Sequence, residues 1–385
     1  MRLVLDVTRS IARLTRPFDS GVGRVERAIL DYLITENIEA SYLGKIGKVQ
    51  FMFDTRGMKA LLARQAEGNW GDPRGIDRFR RKLSVADRSL RSLLGELKIA
   101  KNAKVYRALP NAPFRYLSFA HSNMDPNHLQ RINRAGGIIE AYIHDTIPLD
   151  FPQYSEAHAQ ECYKGMISSL SETATLIWVN SKYTKSRLKL HLKDAPIRVQ
   201  RLGVDIHNPS RREFDGLTTP YLLCVGTIEP RKNLSLLLDI WEEMDGAERR
   251  RPDLVFVGRR GWESETFYQR FNKSVIQNQS IHYFDDVTDE DLSNLYAHAH
   301  GVLFPSFEEG FGLPAAEALK QGIPVIASDI PVFRELYEKH ATLVPTSDQE
   351  AWKKEIQALA AVDRYRNPPR PTLSWKQFAK RIVSA

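Results

Sequence analysis

Short apolar runs separated by turn residues recur along most of this chain. Leu3–Val7, Arg115–Phe119, Ile138–Ile143, Leu176–Val179 and Ile197–Gln200 read as strands in the first half. Tyr221–Val225, Leu254–Val257, Ile281–Phe284, Val302–Phe304, Val325–Ala327 and Thr342–Val344 continue the series in the second. Several are apolar almost throughout, the pattern of parallel strands covered on both faces. Between them the period lengthens to that of helices, as over Asn233–Met244, where Leu234, Leu237, Leu238 and Trp241 share a face. This alternation predicts an α/β fold with doubly wound sheets. A polar stretch from Asp205 to Thr219 interrupts the series and divides the chain into residues 1–208 and 209–371, each of domain size. Asn367-Pro368-Pro369-Arg370-Pro371 is a second break, because proline cannot continue a helix. After it, Ser374 can cap one last amphipathic helix within 372–385. Two such domains leave a cleft at the carboxyl ends of their strands, where open α/β sheets bind ligands.

Charge changes the picture more than overall composition does. The 385 residues carry a formal net charge of +8, which calls for an anionic partner. Arg74 to Arg107 holds eleven basic residues against three acidic ones, so this one segment accounts for the whole excess. Phe79, Leu83, Ala86, Leu90, Leu93, Leu94 and Leu97 recur within it at steps of three and four, the period of a helix face. Two readings stand. Such a helix lies on an anionic membrane, its apolar stripe among the headgroups, or packs on its own domain with a solvated basic face. Nucleic acid is not expected, because no aromatic side chains interleave with the cations to stack bases. Cys162 and Cys224 are too few and too far apart for a disulfide framework or a zinc site, and read as partly buried thiols in a reducing compartment. The opening apolar stretch is too short for a signal peptide, and no later run reaches the ~18 uncharged apolar residues of a membrane span. The expected location is therefore cytoplasmic, soluble or peripheral at the inner face of the plasma membrane.

The chemistry concentrates in two stretches. Phe304-Pro305-Ser306-Phe307-Glu308-Glu309-Gly310-Phe311-Gly312-Leu313-Pro314-Ala315-Ala316-Glu317 reads as a strand, a glycine-containing loop and a helix with Pro314 in its first turn. Such a turn aims free backbone N–H groups and a positive dipole end at one point, suited to a phosphate. Glu309 falls in the loop, where an acceptor-only carboxylate suits sugar hydroxyls, and Glu317 falls about one turn inside the helix. In the second stretch, Val225 to Leu234, a strand ends at Gly226, a turn runs through Pro230, and Asn233 is expected to cap the next helix. Arg231 and Lys232 then stand at the lip of the cleft, where they can neutralise a diphosphate.

Together these segments resemble the retaining GT-B glycosyltransferases of family 4, with the Glu-x7-Glu element at Glu309 and Glu317 and the Gly-x-x-x-Pro-Arg-Lys-Asn element at Gly226 to Asn233. The resemblance extends to the glycine loop Ser20-Gly21-Val22-Gly23-Arg24. It continues through His144-Asp145-Thr146-Ile147-Pro148-Leu149, which is similar to a segment of bacterial O-antigen mannosyltransferases, and through Asn180-Ser181-Lys182, Arg201-Leu202-Gly203-Val204-Asp205 and Trp375. It implies two Rossmann-like domains facing each other, residues 1–208 on the acceptor side and 209–371 on the donor side, with 372–385 crossing back to the first. It also implies roles. Glu309 would hold the sugar ring, helped by the N–H groups of Gly310, Phe311 and Gly312, and Glu317 would bind the nucleotide ribose. Arg231, Lys232 and the helix start at Leu313 would hold the diphosphate, over which Gly21 and Gly23 would close. His144 would stand beside the transferred sugar, with Asp145 and Arg24 on the acceptor side. Thr227, Gly258 and Val287 complete the expected donor site. Thr227 is also a departure, since many relatives have arginine there, which leaves phosphate neutralisation to Arg231 and Lys232.

The resemblance implies transfer of a hexose with retention of configuration, the departing phosphate accepting the acceptor's proton on the same face of the sugar. No carboxylate is placed for a glycosidase-type covalent intermediate. Neither a cofactor nor a metal is expected, and Asp285-Asp286-Val287-Thr288-Asp289-Glu290-Asp291 reads as a loop and helix cap rather than a cation site. The favoured donor is GDP-mannose and the favoured acceptor a saccharide or lipid-linked saccharide. A UDP-sugar donor, a nucleotide-sugar epimerase and a non-catalytic sugar-nucleotide-binding protein remain as alternatives.

Overall fold

In a computed structural model of the chain, the described residues are 1–15, 21–80, 82–192, 194–206, 217, 220–244, 251–273, 280–285 and 287–385. The strands are β1 (Arg2–Asp6), β2 (Ala40–Ile46), β3 (Val49–Phe53), β4 (Ala100–Lys101), β5 (Phe114–Ser118), β6 (Gly137–Ile143), β7 (Ala174–Val179) and β8 (Ile197–Val199), then β9 (Tyr221–Val225), β10 (Asp253–Val257), β11 (Ile281–Phe284), β12 (Gly301–Phe304), β13 (Val325–Ser328) and β14 (Thr342–Val344). The first eight form one sheet in the order β4-β3-β2-β1-β5-β6-β7-β8, and the last six form another in the order β11-β10-β9-β12-β13-β14. Every pairing is parallel except β2 with β3 and β3 with β4. Each sheet reverses direction from its first strand, β1 or β9, and ligands of open α/β sheets lie at the carboxyl ends beside such a point. The architecture is GT-B, two Rossmann-like α/β units. The seam expected at residue 208 and the polar run after it lie largely outside the described residues.

β10 is buried at every position and β9 at all but its last, which is why their sequences are continuously apolar. The expected terminal helix is present as Trp375–Val383, with a capping box between Ser374 and Gln377. It packs on the amino-terminal half through Phe378, whose ring meets Tyr142 edge-on at 5.8 Å. Arg115 on β5 closes its end, donating to the carbonyls of Val383 at 2.7 Å and Ile382 at 2.9 Å while forked onto Glu140.

The basic segment differs from the single helix its periodicity suggests. It comprises a 3-10 turn at Gly75–Phe79, a helix at Val85–Leu97, the short β4 and a further 3-10 turn at Asn102–Arg107. Leu90 and Leu94 are buried in the core, so the protein itself covers this part of the apolar stripe. Arg74, Arg78, Lys101, Lys104 and Arg107 remain exposed. Cys224 is buried, but Cys162 is exposed rather than partly buried.

Candidate functional site

The two chemical stretches leave adjacent strands of the second sheet. β9 ends at Val225, and beyond Gly226 Pro230–Lys232 makes a 3-10 turn and Asn233 takes a left-handed backbone before the next helix. β12 ends at Phe304 and leads through the loop to the Leu313–Lys320 helix, whose N-cap is Gly312 with Pro314 in the first turn. Because β9 and β12 are hydrogen-bonded neighbours, residues 77 apart in sequence meet. Lys232 Nζ lies 2.5 Å from Glu309 Oε1 and Arg231 Nη1 lies 3.1 Å from the same oxygen. Ser306 Oγ donates to it as well, at 2.9 Å. Burial alone would push the Glu309 carboxyl up, but Arg231 and Lys232 outweigh it and hold the group at about 2. Arg231 is fixed further by Glu229 Oε1 and by the Glu308 carbonyl, both at 2.6 Å. Glu229 carried no expected role in the sequence.

Gly258, Gly312 and Gly310 sit where a side chain would collide with its surroundings. A Cβ on Gly258 would stand 1.9 Å from the Gly226 carbonyl, so the ends of β10 and β9 close only with glycine there. Gly312 has φ +77°, and a Cβ on it would strike Phe333. A Cβ on Gly310 would lie 2.3 Å from the carbonyl oxygen of His144, which puts the Glu309 loop directly against the first sheet.

His144 follows β6 and is buried, with Nε2 donating to the Phe119 carbonyl at 2.7 Å. Burial, reinforced by neighbouring His121, lowers its pKa to about 3, so it is neutral at physiological pH. The pattern of the sequence singled out no role for His121. Its ring packs edge-on to His144 at 4.9 Å, and its Nε2 accepts from the His144 N–H at 3.2 Å. Asp145 accepts from the Ile147 N–H, and burial raises its carboxyl against the opposing pull of Arg231. Arg231, Lys232, Glu309, Gly310, His144 and Asp145 thus form one cluster joining the two halves.

A second cluster joins them elsewhere. Glu317 is buried, with Oε1 paired to Arg24 and Oε2 accepting from the Tyr296 hydroxyl at 3.3 Å. Arg24 therefore reaches the carboxylate expected to bind the ribose, because its helix ends against the other half. Gly21 and Gly23 lie in the first turn of this Gly21–Thr35 helix rather than in a loop, and Ser20 falls outside the described residues. A Cβ on Gly21 would lie 3.3 Å from Leu313 Cδ1, so the amino-terminal ends of two helices approach each other at this point. Both ends carry positive dipole charge. Thr227 is exposed, while Val287 is half-buried against the core. Thr288 and Asp291 form a capping box, which gives the acidic run its structural use; Asp286 lies outside the described residues. Among the described residues no group of three or more His, Cys, Asp or Glu is arranged to hold a metal ion.

Residues 209–368 match the family described as glycosyl transferases group 1. The serotype-specific mannosyltransferase WbdA of Escherichia coli is 29% identical over 275 residues, 65% of this chain and 34% of that protein. The O-antigen chain mannosyltransferase B of Escherichia coli is 37% identical over 136 residues, 35% of each chain. The chain thus spans about a third of the length of these curated relatives. Among solved structures, Anabaena HepE in complex with UDP and glucose aligns with TM-score 0.61 at 14% identity, covering all of this chain and 95% of that one. Sucrose-phosphate synthase of Thermosynechococcus elongatus aligns with TM-score 0.59 at 16% identity, covering all of this chain and 94% of that one. These alignments establish the GT-B fold.

Proposed function

We propose that this chain, whose residues 209–368 match the glycosyl transferases group 1 family, transfers a hexose from a nucleotide diphosphate sugar to a saccharide acceptor in surface polysaccharide synthesis. The observation that carries this reading is the joint: a buried carboxylate, Glu309, held between Arg231 and Lys232 and pressed through Gly310 against neutral His144. Two cations already seated on one carboxylate can turn to a diphosphate, which offers more negative charge. Glu309 is then released to accept hydroxyl hydrogen bonds from the sugar. Charge grows on the leaving phosphate during transfer, so fixed cations and the facing helix ends stabilise the transition state more than the ground state. The phosphate takes the acceptor hydroxyl's proton as the new bond forms on the face the nucleotide leaves, with retention. Neutral His144 offers its ring beside the sugar. These groups supply the neutralisation without a metal ion.

Mannose is the favoured sugar, supported by the names of the relatives, with GDP-mannose as the proposed donor and a saccharide or lipid-linked saccharide as the proposed acceptor. A UDP-sugar is the second reading, favoured by the likeness to a fold solved with UDP and glucose. The exposed cations of residues 74–107 would meet the anionic membrane carrying such an acceptor. The test is incubation with GDP-mannose or UDP-glucose and a panel of free and lipid-linked mannosides. Nucleoside diphosphate release and anomeric configuration by NMR are the readouts. Donor binding without release in any combination would refute transfer, and an altered sugar without acceptor would indicate an epimerase.

A further inference from the structure

We propose that Arg24 is a latch that occupies Glu317 until a nucleotide ribose claims it and then turns to Asp289. The inference rests on the reading of Glu317 as the ribose carboxylate. At rest both oxygens of Glu317 are engaged, Oε1 by Arg24 and Oε2 by Tyr296. Each oxygen keeps a second lone-pair site, but a ribose diol would have to reach it past the guanidinium that lines the same cavity. Donor binding therefore competes with an ion pair that ties the Gly21–Thr35 helix of one half to the Leu313–Lys320 helix of the other.

The surroundings give the guanidinium somewhere to go. A cavity of about 80 Å³ adjoins it, with Asp289, Asp205, Ser293 and Tyr296 among its lining residues, enough space for a side chain to rotate. Burial alone would lower the Arg24 pKa; Glu317 and, from farther away, Asp289 outweigh it, so Asp289 already acts on this cation. Asp289 opens the first turn of the Asp289–His298 helix, beside the loop that holds Val287. The Trp375 ring lies 5.8 Å from the guanidinium carbon and provides a pivot that the cation need not leave. The latch thus has two carboxylate seats on the donor half, and ribose selects the second. Its cost to the donor is the fraction of molecules in which Glu317 is unavailable.

Isothermal titration of the full chain with GDP and UDP tests this. Arg24→Met should tighten binding of the proposed donor's diphosphate about tenfold, because the competing cation is gone, and should lower the donor KM with kcat not raised. Arg24→Lys, which keeps the charge with shorter reach, should fall between. Asp289→Asn should weaken binding about threefold, and this effect should vanish in the Arg24→Met background, the signature of two residues acting as a unit. Unchanged or weaker binding by Arg24→Met, with Glu317→Gln weakened, would overturn the latch and make Arg24 a direct donor contact or a structural tie. If Arg24→Met does not fold, an Asp289→Asn protein that binds as wild type overturns it equally. Wild-type affinity in Glu317→Gln would instead overturn the ribose reading itself.

Discussion

Glu309→Gln keeps the shape of the side chain and removes its charge, which isolates the electrostatics of the joint. In the folded chain the carboxyl is held at about 2, against an ordinary value of 4.5. A depression of that size corresponds to about 3 kcal/mol of stability at pH 7. Its sign follows from the direction. The folded value is the lower one, so the contribution is complete above pH ~4.5 and is lost as pH falls toward ~2. At pH 3 about 1 kcal/mol of it should remain. Urea denaturation of wild type and variant at pH 7 and pH 3 measures the difference at each pH. The gap should narrow by about 2 kcal/mol between them, whatever constant penalty the amide itself adds. A gap equal at both pH values would refute the claim that Arg231 and Lys232 hold this carboxylate ionised. Turnover by the same variant should fall about 10²–10³-fold, the loss typical of one preorganised electrostatic group. Near-normal turnover would remove Glu309 from the proposed mechanism.

His144→Gln retains a donor for the Phe119 carbonyl, so stability should hold while turnover falls about 100-fold through loss of the ring that positions the sugar. Because burial keeps the His144 imidazole neutral down to about pH 3, the pH profile of wild-type kcat/KM should show no inflection near 6.5 that this substitution abolishes; finding one would contradict the assignment. Turnover should be undiminished in EDTA, and full metal dependence would contradict a mechanism neutralised by Arg231 and Lys232. The wild-type chain should sediment with phosphatidylglycerol vesicles but not with neutral ones, and the triple variant Lys101→Glu, Lys104→Glu, Arg107→Glu should lose most of that binding. Equal recovery on both vesicle types would remove the membrane role of the basic segment.

Strands were legible where burial on both faces leaves a continuous apolar run, as at β9 and β10. β2, β3 and β4 were not. In Ala40–Ile46 and Val49–Phe53 polar and apolar residues mix, because these strands pair antiparallel toward the sheet edge and carry Lys45 and Gln50. The same limit explains the basic segment. Its three-and-four spacing correctly marks the face of the Val85–Leu97 helix, but periodicity cannot say what covers that face. Leu90 and Leu94 show that the protein itself does.

The site divides along a similar line. Arg231, Lys232 and Glu309 could be placed together from sequence because each follows a strand end, and neighbouring parallel strands bring their ends to one edge. His121 and Glu229 lie in segments whose composition marks nothing, and their roles exist only through the partners that folding brings to them. Arg24 is the instructive case. Its local sequence, after two glycines in the acceptor-side half, suggested an acceptor contact, whereas its helix carries it across to a carboxylate 293 residues away. Glu335 makes the same point from the other half: its carboxylate accepts from the N–H groups of Lys182 at 2.9 Å and Tyr183 at 2.8 Å, the first turn of the Lys182–Leu188 helix. Both residues use a charge from one half to satisfy groups in the other, so neither half's local sequence contains the reason for them. In a chain of two such halves, motif reading recovers groups that work within one half's strand ends. The contacts that tie one half to the other become legible only when both halves are seen together.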